Sequence, residues 1–145
     1  RLMIFAAEDI GNASPQALDT AVSAALAVER IGMPEGRIVL GQAVTFLASC
    51  PKSNAAYRGI NSAMELVNGR QVSIPNHLRN APTEQHAREG AGKNYKYPHD
   101  FPQHYVDQDY MPQEISAQVY FPTDQGQEAR LRDRLRSLQR KDREY

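Results

Sequence analysis

The side chains in this 145-residue sequence most able to do chemistry are four histidines and one cysteine. His99 and Asp100 adjoin, and His104, Asp107 and Asp109 follow closely. Imidazole and carboxylate together suit zinc or a harder divalent cation. These groups fall on a stretch broken by Pro98, Pro102 and Pro112, so no helical or strand period aims them at one point. Their commoner role is to satisfy nearby backbone groups, and no metal site is assigned. Cys50 precedes Pro51. As a nucleophile it needs a base such as His77 or His86 brought to it by the fold. A lone thiol among apolar residues more often fills a small gap in a core. One cysteine excludes an intrachain disulfide and fits a reducing compartment.

Two glycine patterns invite a phosphate reading. Gly36-Arg37-Ile38-Val39-Leu40-Gly41-Gln42-Ala43 has the glycine spacing of a nucleotide loop but lacks the Lys and Ser/Thr that should follow the second glycine. Gly90-Ala91-Gly92-Lys93 lacks a third glycine and reads as a flexible turn. No cofactor is assigned to either. Two surfaces could meet nucleic acid. Arg130, Arg132, Arg134 and Arg136 could neutralise phosphates with strong salt dependence, although Glu128, Asp133, Asp142 and Glu144 dilute that field and a solvated helix face is the blander reading. Tyr95, Tyr97, Phe101, Tyr105 and Tyr110 could stack unpaired bases. Alternatively these rings, with Pro98, His99 and Asp100, anchor packing or a subunit interface. No catalytic constellation emerges from the residues.

The elements that must position these groups are mostly helical. Residues 1–69 hold 16 of the 25 Leu, Ile and Val and 13 of the 18 Ala. Arg1 to Gly11 read as the end of a helix, stopped by the glycine, and the opening without a start Met suggests a piece of a longer protein. Ser14 with Pro15 predicts a capped start to a helix running to Ile31, closed by Gly32 and Pro34. Its apolar stripe is Leu18, Ala21, Val22 and Ala25, widened by Ala24, Ala27 and Val28. A second helix runs from Pro34 or Gly36 to Ser49, with Leu40, Ala43, Val44 and Leu47 inward. Pro51 ends it. Ser53 caps a third, with Ile60, Ala63, Met64 and Val67 inward and Gly69 at its stop. Short connections predict antiparallel neighbours.

Residues 70–126 differ. They hold six of the nine Pro and all four His, and seven Tyr and Phe lie between Tyr95 and Phe121. Val72 to Pro75 reads as extended, Asn76 to Asn80 as one helical turn, and Thr83 to Gly90 as a short helix. From Lys93 to Pro122 no period survives. Disordered segments are poor in aromatics, so an irregular strap laid over the helices is expected, with a disordered linker as the alternative. Residues 127–145 read as one basic helix, capped by Thr123 or Asp124, with a narrow stripe at Leu131, Leu135 and Leu138. The expected whole is a single all-α domain of three zones: helical core 1–69, strap 70–126 and basic helix 127–145.

Lys and Arg number 17 and Asp and Glu 17, so the chain is neither a polycation nor an acidic tail. Mean hydropathy is −0.61 and no run of 18 apolar residues exists, so no membrane partner is expected.

Three stretches carry a resemblance: Glu8-Asp9-Ile10-Gly11-Asn12 with Pro15-Gln16-Ala17-Leu18; Val28 to Gly36 running on to Pro51-Lys52-Ser53-Asn54-Ala55-Ala56-Tyr57; and Tyr95-Lys96-Tyr97-Pro98-His99-Asp100-Phe101. They resemble the C-terminal region of the RarA/MgsA family of AAA+ ATPases, bacterial relatives of the Werner-helicase-interacting ATPase. The resemblance runs from Arg1 to about Leu138 and does not extend to Arg140–Tyr145. It implies a helical domain like the clamp-loader collar that assembles homotetramers. It also implies a parent ATPase using ATP and Mg, acting with single-stranded DNA-binding protein and DNA at stalled forks, in the bacterial cytoplasm and at the nucleoid. The Walker A, Walker B and arginine-finger segments are absent from this chain, so no catalytic or nucleotide-binding residue carries over. The expected function is an oligomerisation collar. The alternative is a DNA- or replication-protein-binding module that uses the Arg-rich helix and the Tyr-rich strap.

Overall fold

The computed structural model describes residues 1–80, 83–115 and 117–138, the side chains of His86 and Ala87 apart. Every regular element among them is helical and none is a strand, as the sequence predicts. The chain forms two compact units: Arg1–Ala63 with Val119–Tyr145, and Met64–Gln118.

In the first unit, α1 (Leu2–Phe5) continues into a wider turn, Ala6–Ile10, and stops at Gly11 with φ +50°. The glycine is required because a Cβ there would stand 2.6 Å from the carbonyl oxygen of Ser53. The Ser53 N–H donates to the Asp9 carbonyl at 2.9 Å, which holds the two backbones together. Next come α2 (Gln16–Ile31) and α3 (Gly36–Ser49), which pack on each other. Gly32, at φ +76°, closes α2 by donating to Val28 at 2.9 Å. The predicted Ser14 side-chain cap is not made; Ser14 contributes its carbonyl, which accepts from the Ala17 N–H at 2.9 Å. At the other end of the hairpin, Lys52 Nζ donates to the carbonyls of Leu47 and Cys50 at 3.1 and 2.6 Å, a cation capping the negative end of α3.

The buried faces match the predicted stripes at their small residues and at Leu47, but not at most of their large ones. In α2 the buried stripe is Ala17, Ala21 and Ala24, while Leu18 and Val22 are exposed. In α3, Gly36, Ala43 and Leu47 are buried, whereas Leu40 is only half-buried and Val44 is exposed. In α4 (Ala55–Val67), Ala55 and Gly59 are buried and Ala63 half-buried, with Ile60, Met64 and Val67 outside. The reason is distance of approach. Small side chains let backbones come close, and a face of Ala and Gly makes that contact better than one of Leu and Ile. Gly59 shows it directly, because a Cβ there would lie 3.3 Å from the Val119 carbonyl. The core cluster of Ala6, Ile10, Ala17, Ala21, Leu47 and Cys50 is correspondingly lean.

The chain returns to this unit at Val119 and ends in α6 (Glu128–Ser137). That helix begins four residues or more after the Thr123 or Asp124 cap predicted for it, and its Gln127 N-cap makes no side-chain bond. The intervening turn depends on Gly126 (φ +52°) and on the Gln127 N–H, which donates to Ala13 at 2.8 Å.

The second unit is built mostly from irregular and turn segments. Residues 71–75 carry no regular secondary structure, Asn76–Leu78 form a 3₁₀ turn, and α5 (Glu84–Arg88) is one short helix. Two further 3₁₀ turns, Pro98–Asp100 and Pro102–His104, begin at prolines. Ala91, Val106 and Ile115 are its buried apolar residues. The strap therefore belongs chiefly to a unit with its own interior.

Gly126→Ala tests the turn. A Cβ at Gly126 would meet the Ala13 carbonyl and lie 2.6 Å from Pro51 Cγ, at a φ that L residues avoid. Urea unfolding of this variant is expected to show a loss of about 2–4 kcal/mol.

Candidate functional site

Among the described residues, the most concentrated polar chemistry of the first unit surrounds Glu128, which is 0 % exposed at the start of α6. Its carboxylate accepts four hydrogen bonds. The Ser53 hydroxyl donates one. The Tyr120 hydroxyl donates at 2.5 Å, the Thr123 hydroxyl at 2.5 Å and the Thr123 N–H at 3.1 Å. Asn12 Nδ2 donates in turn to the Tyr120 oxygen at 3.1 Å, and the Ala55 N–H donates to Ser53 Oγ at 3.3 Å. Ser53 thus caps the start of α4, as predicted, and anchors Glu128 as well.

Burial pushes the Glu128 carboxyl up, but the donors from Ser53, Thr123 and Tyr120 outweigh it and hold the group below the ordinary carboxylate range. Tyr120 moves the other way. Burial and its bond to Glu128 push its phenol up to about 12. Such a carboxylate is ionised, held by four donors and closed off from solvent. It has no free lone pair aimed at solvent and so acts as a structural clasp, not as a general base.

Sequence reasoning missed Glu128, which stood only as a charge diluting a basic helix. The spacing from Thr123 to Glu128 fits no capping box, and nothing in the sequence shows that Ser53, 75 positions away, reaches it. Two of the stretches that carry the resemblance nonetheless meet here: Asp9, Gly11 and Asn12 from the first, and Ser53 and Ala55 from the second.

The residues weighed for chemistry are placed as follows. Cys50 is buried in the core cluster. The His86 side chain, Asp142 and Glu144 lie outside the described residues. His99 is exposed, with its ring 5.0 Å from Tyr97 and 4.8 Å from His104. No group of three His, Cys, Asp or Glu converges among the described residues. Tyr95, Tyr97, Asp100, Phe101 and Tyr110 are exposed, while Pro98 and Tyr105 are half-buried. In α6, Arg130, Arg134 and Arg136 are exposed, and Arg132 is half-buried with Nε 3.7 Å from Asp133. No helix among the described residues is long and apolar enough to cross a membrane.

Comparison with known proteins agrees with this architecture. The sequence model of the MgsA AAA+ ATPase C-terminal family matches residues 1–139. Replication-associated recombination protein A of Haemophilus influenzae is 39 % identical over 98 % of this chain and 32 % of its own length. The protein of the same name in Escherichia coli K12 is 38 % identical over 98 % of this chain and 32 % of its length. ATPase WRNIP1 of Dictyostelium discoideum is 38 % identical over 83 % of this chain and 14 % of its length. The chain spans about a third of the length of the bacterial relatives. By sequence it is a helical AAA+ ATPase C-terminal domain. It belongs to the MgsA family, whose bacterial members include replication-associated recombination protein A.

Substituting Glu128→Gln puts an amide donor among hydroxyl donors and should cost about 2–4 kcal/mol at neutral pH. Because the folded carboxyl titrates below its ordinary 4.5, the native residue's advantage is full above about pH 4.5 and fades as pH falls through the lowered value. Urea titrations of both proteins at neutral and acid pH should converge on the acid side.

Proposed function

We propose that this chain is the homo-oligomerisation collar of a replication-associated recombination ATPase, assembling as a tetramer. One observation carries the reading: the helices turn their small-residue faces inward and their large apolar faces outward. Among the described residues, the large apolar side chains that are fully covered are only Ile10 and Leu47. Along α4, Tyr57, Ile60, Met64 and Val67 recur at the three-four spacing of a coiled-coil seam, and all are exposed, Ile60 by 57 % and Met64 by 62 %. The α2–α3 hairpin exposes further large apolar side chains, Leu18, Val22, Ile38 (66 %) and Phe46. Monomeric proteins rarely leave such surface in water.

A second copy of the chain is the occupant that fits the α4 seam. Antiparallel pairing about the middle of the stripe sets Ile60 of one copy level with Met64 of the other, and Tyr57 level with Val67. A closed tetramer needs apolar surface beyond that one seam, and the α2–α3 hairpin carries it.

In the parent protein the collar holds ATPase modules at high effective concentration, so that neighbours can share a nucleotide site. On this reading ATP and Mg bind those modules and no residue of this chain. The assembly then acts in DNA replication, recombination and repair at stalled forks, in the cytoplasm and at the nucleoid, with DNA and single-stranded DNA-binding protein as partners.

Sedimentation equilibrium should give four chain masses of 16.2 kDa each at tens of micromolar, about the range of a moderate interface. Ile60→Glu with Met64→Glu should lower the mass while leaving helical circular dichroism intact. A native chain that remains a monomer there would overturn the proposal.

A further inference from the structure

The second unit contains a cleft of about 790 Å³, within the usual size range of ligand sites. Its walls come from three segments that are cross-tied by hydrogen bonds. The Gly92 N–H donates to the Asn76 carbonyl at 2.7 Å, and His77 Nε2 donates to the Asp109 carbonyl at 2.6 Å. Gln108 pairs with the Lys96 backbone in both directions, accepting from the N–H at 3.3 Å and donating to the carbonyl at 3.1 Å. A frame tied at this many points is preorganised.

The lining is rich in donors. Arg79, Lys93 and Lys96 face it, and none of the three makes an ion pair among the described residues. The amides of Asn76, Asn94 and Gln113 add further donors. These cations are three of the five in a unit that carries seven acidic residues, so positive charge is gathered here against the local balance. Asp107 and Asp109 also line the cleft, which keeps its attraction for anions modest.

Exposed aromatic rings lie on the segments that form it, outside its lining. Exposed Tyr95 and Tyr97 bracket Lys96 in the chain, and exposed Tyr110 stands between the lining residues Asp109 and Met111. Gln108 Nε2 donates to the Tyr110 oxygen at 3.0 Å, fixing that ring beside the Lys96 segment. Unpaired cations in a groove, with exposed rings on the segments that form it, are what a single strand requires: cations follow its phosphates and rings stack its bases. A carboxylate-bearing peptide would use the cations and leave the rings idle.

We infer that this cleft, and not the arginine face of α6, holds the phosphate backbone of a single-stranded nucleic acid, with bases on Tyr95, Tyr97 and Tyr110. The site does not depend on self-association, so sedimentation and binding report on separate claims.

The test is fluorescence anisotropy of a labelled thymidine 20-mer titrated with the full chain. Three phosphate contacts give a salt slope of about −2, so affinity should fall about 18-fold between about 50 and 200 mM salt. Lys93→Ala with Lys96→Ala should weaken binding at low salt by about tenfold or more and flatten that slope by about 1.4, with circular dichroism unchanged. Arg130→Ala with Arg134→Ala and Arg136→Ala should bind as the native chain does. The inference is overturned by no binding at low salt, by a double-lysine variant that binds normally, or by loss of binding in the α6 variant. It is equally overturned if a glutamate peptide or tripolyphosphate of matched charge competes as well as an unlabelled 20-mer.

Discussion

One buried carboxylate organises the first unit. Glu128 gathers donors from Ser53 before α4 and from Tyr120 and Thr123 in the returning segment, while Asn12 supports Tyr120 from the N-terminal turn. A buried charge is tolerated only where it is fully hydrogen-bonded. Each donor is thereby constrained, and the segments that carry them are held in register. The consequence for α4 is specific. With Val119 and Tyr120 lying on its glycine face, Gly59 is buried and the seam of Tyr57, Ile60, Met64 and Val67 is left outward.

That arrangement links the clasp to assembly. A chain whose helices contact each other through Ala and Gly gains little from burying its own large side chains. Most of its apolar capacity remains on the surface, available to another copy. The collar reading follows from this distribution of side-chain size more than from any reactive group. The polar cleft of the second unit is a different kind of surface, gathered from three segments remote in sequence.

Element boundaries were largely legible in the sequence because they rest on local chemistry. Gly11, Gly32 and Pro51 stop helices where expected, whereas the short turns that begin at prolines 98 and 102 were read only as a loss of period. Burial was not legible. The three-four spacing that marks a core stripe in one molecule also marks an interface between molecules, and Ile60 and Met64 satisfy both patterns equally. The start of α6 lies within one residue of the expected 127, but its cap was misassigned because Thr123 has the chemistry of a cap and donates its hydroxyl to Glu128. Glu128 itself was invisible because its partners come from remote parts of the chain, and no local pattern distinguishes a buried glutamate from a solvated one. Of the strap rings, Tyr95, Tyr97 and Phe101 are exposed, and nothing in their local spacing distinguishes a ring that packs within the chain from one kept for a subunit interface.

The clasp can be observed directly by a carbon-detected NMR titration of the Glu128 carboxyl in the folded chain, followed alongside the Tyr120 phenol. The account predicts a Glu128 midpoint below 4.5 and a Tyr120 hydroxyl that keeps its proton to about pH 12. A Glu128 carboxyl that takes up its proton at or above 4.5 while the native spectrum persists would contradict it.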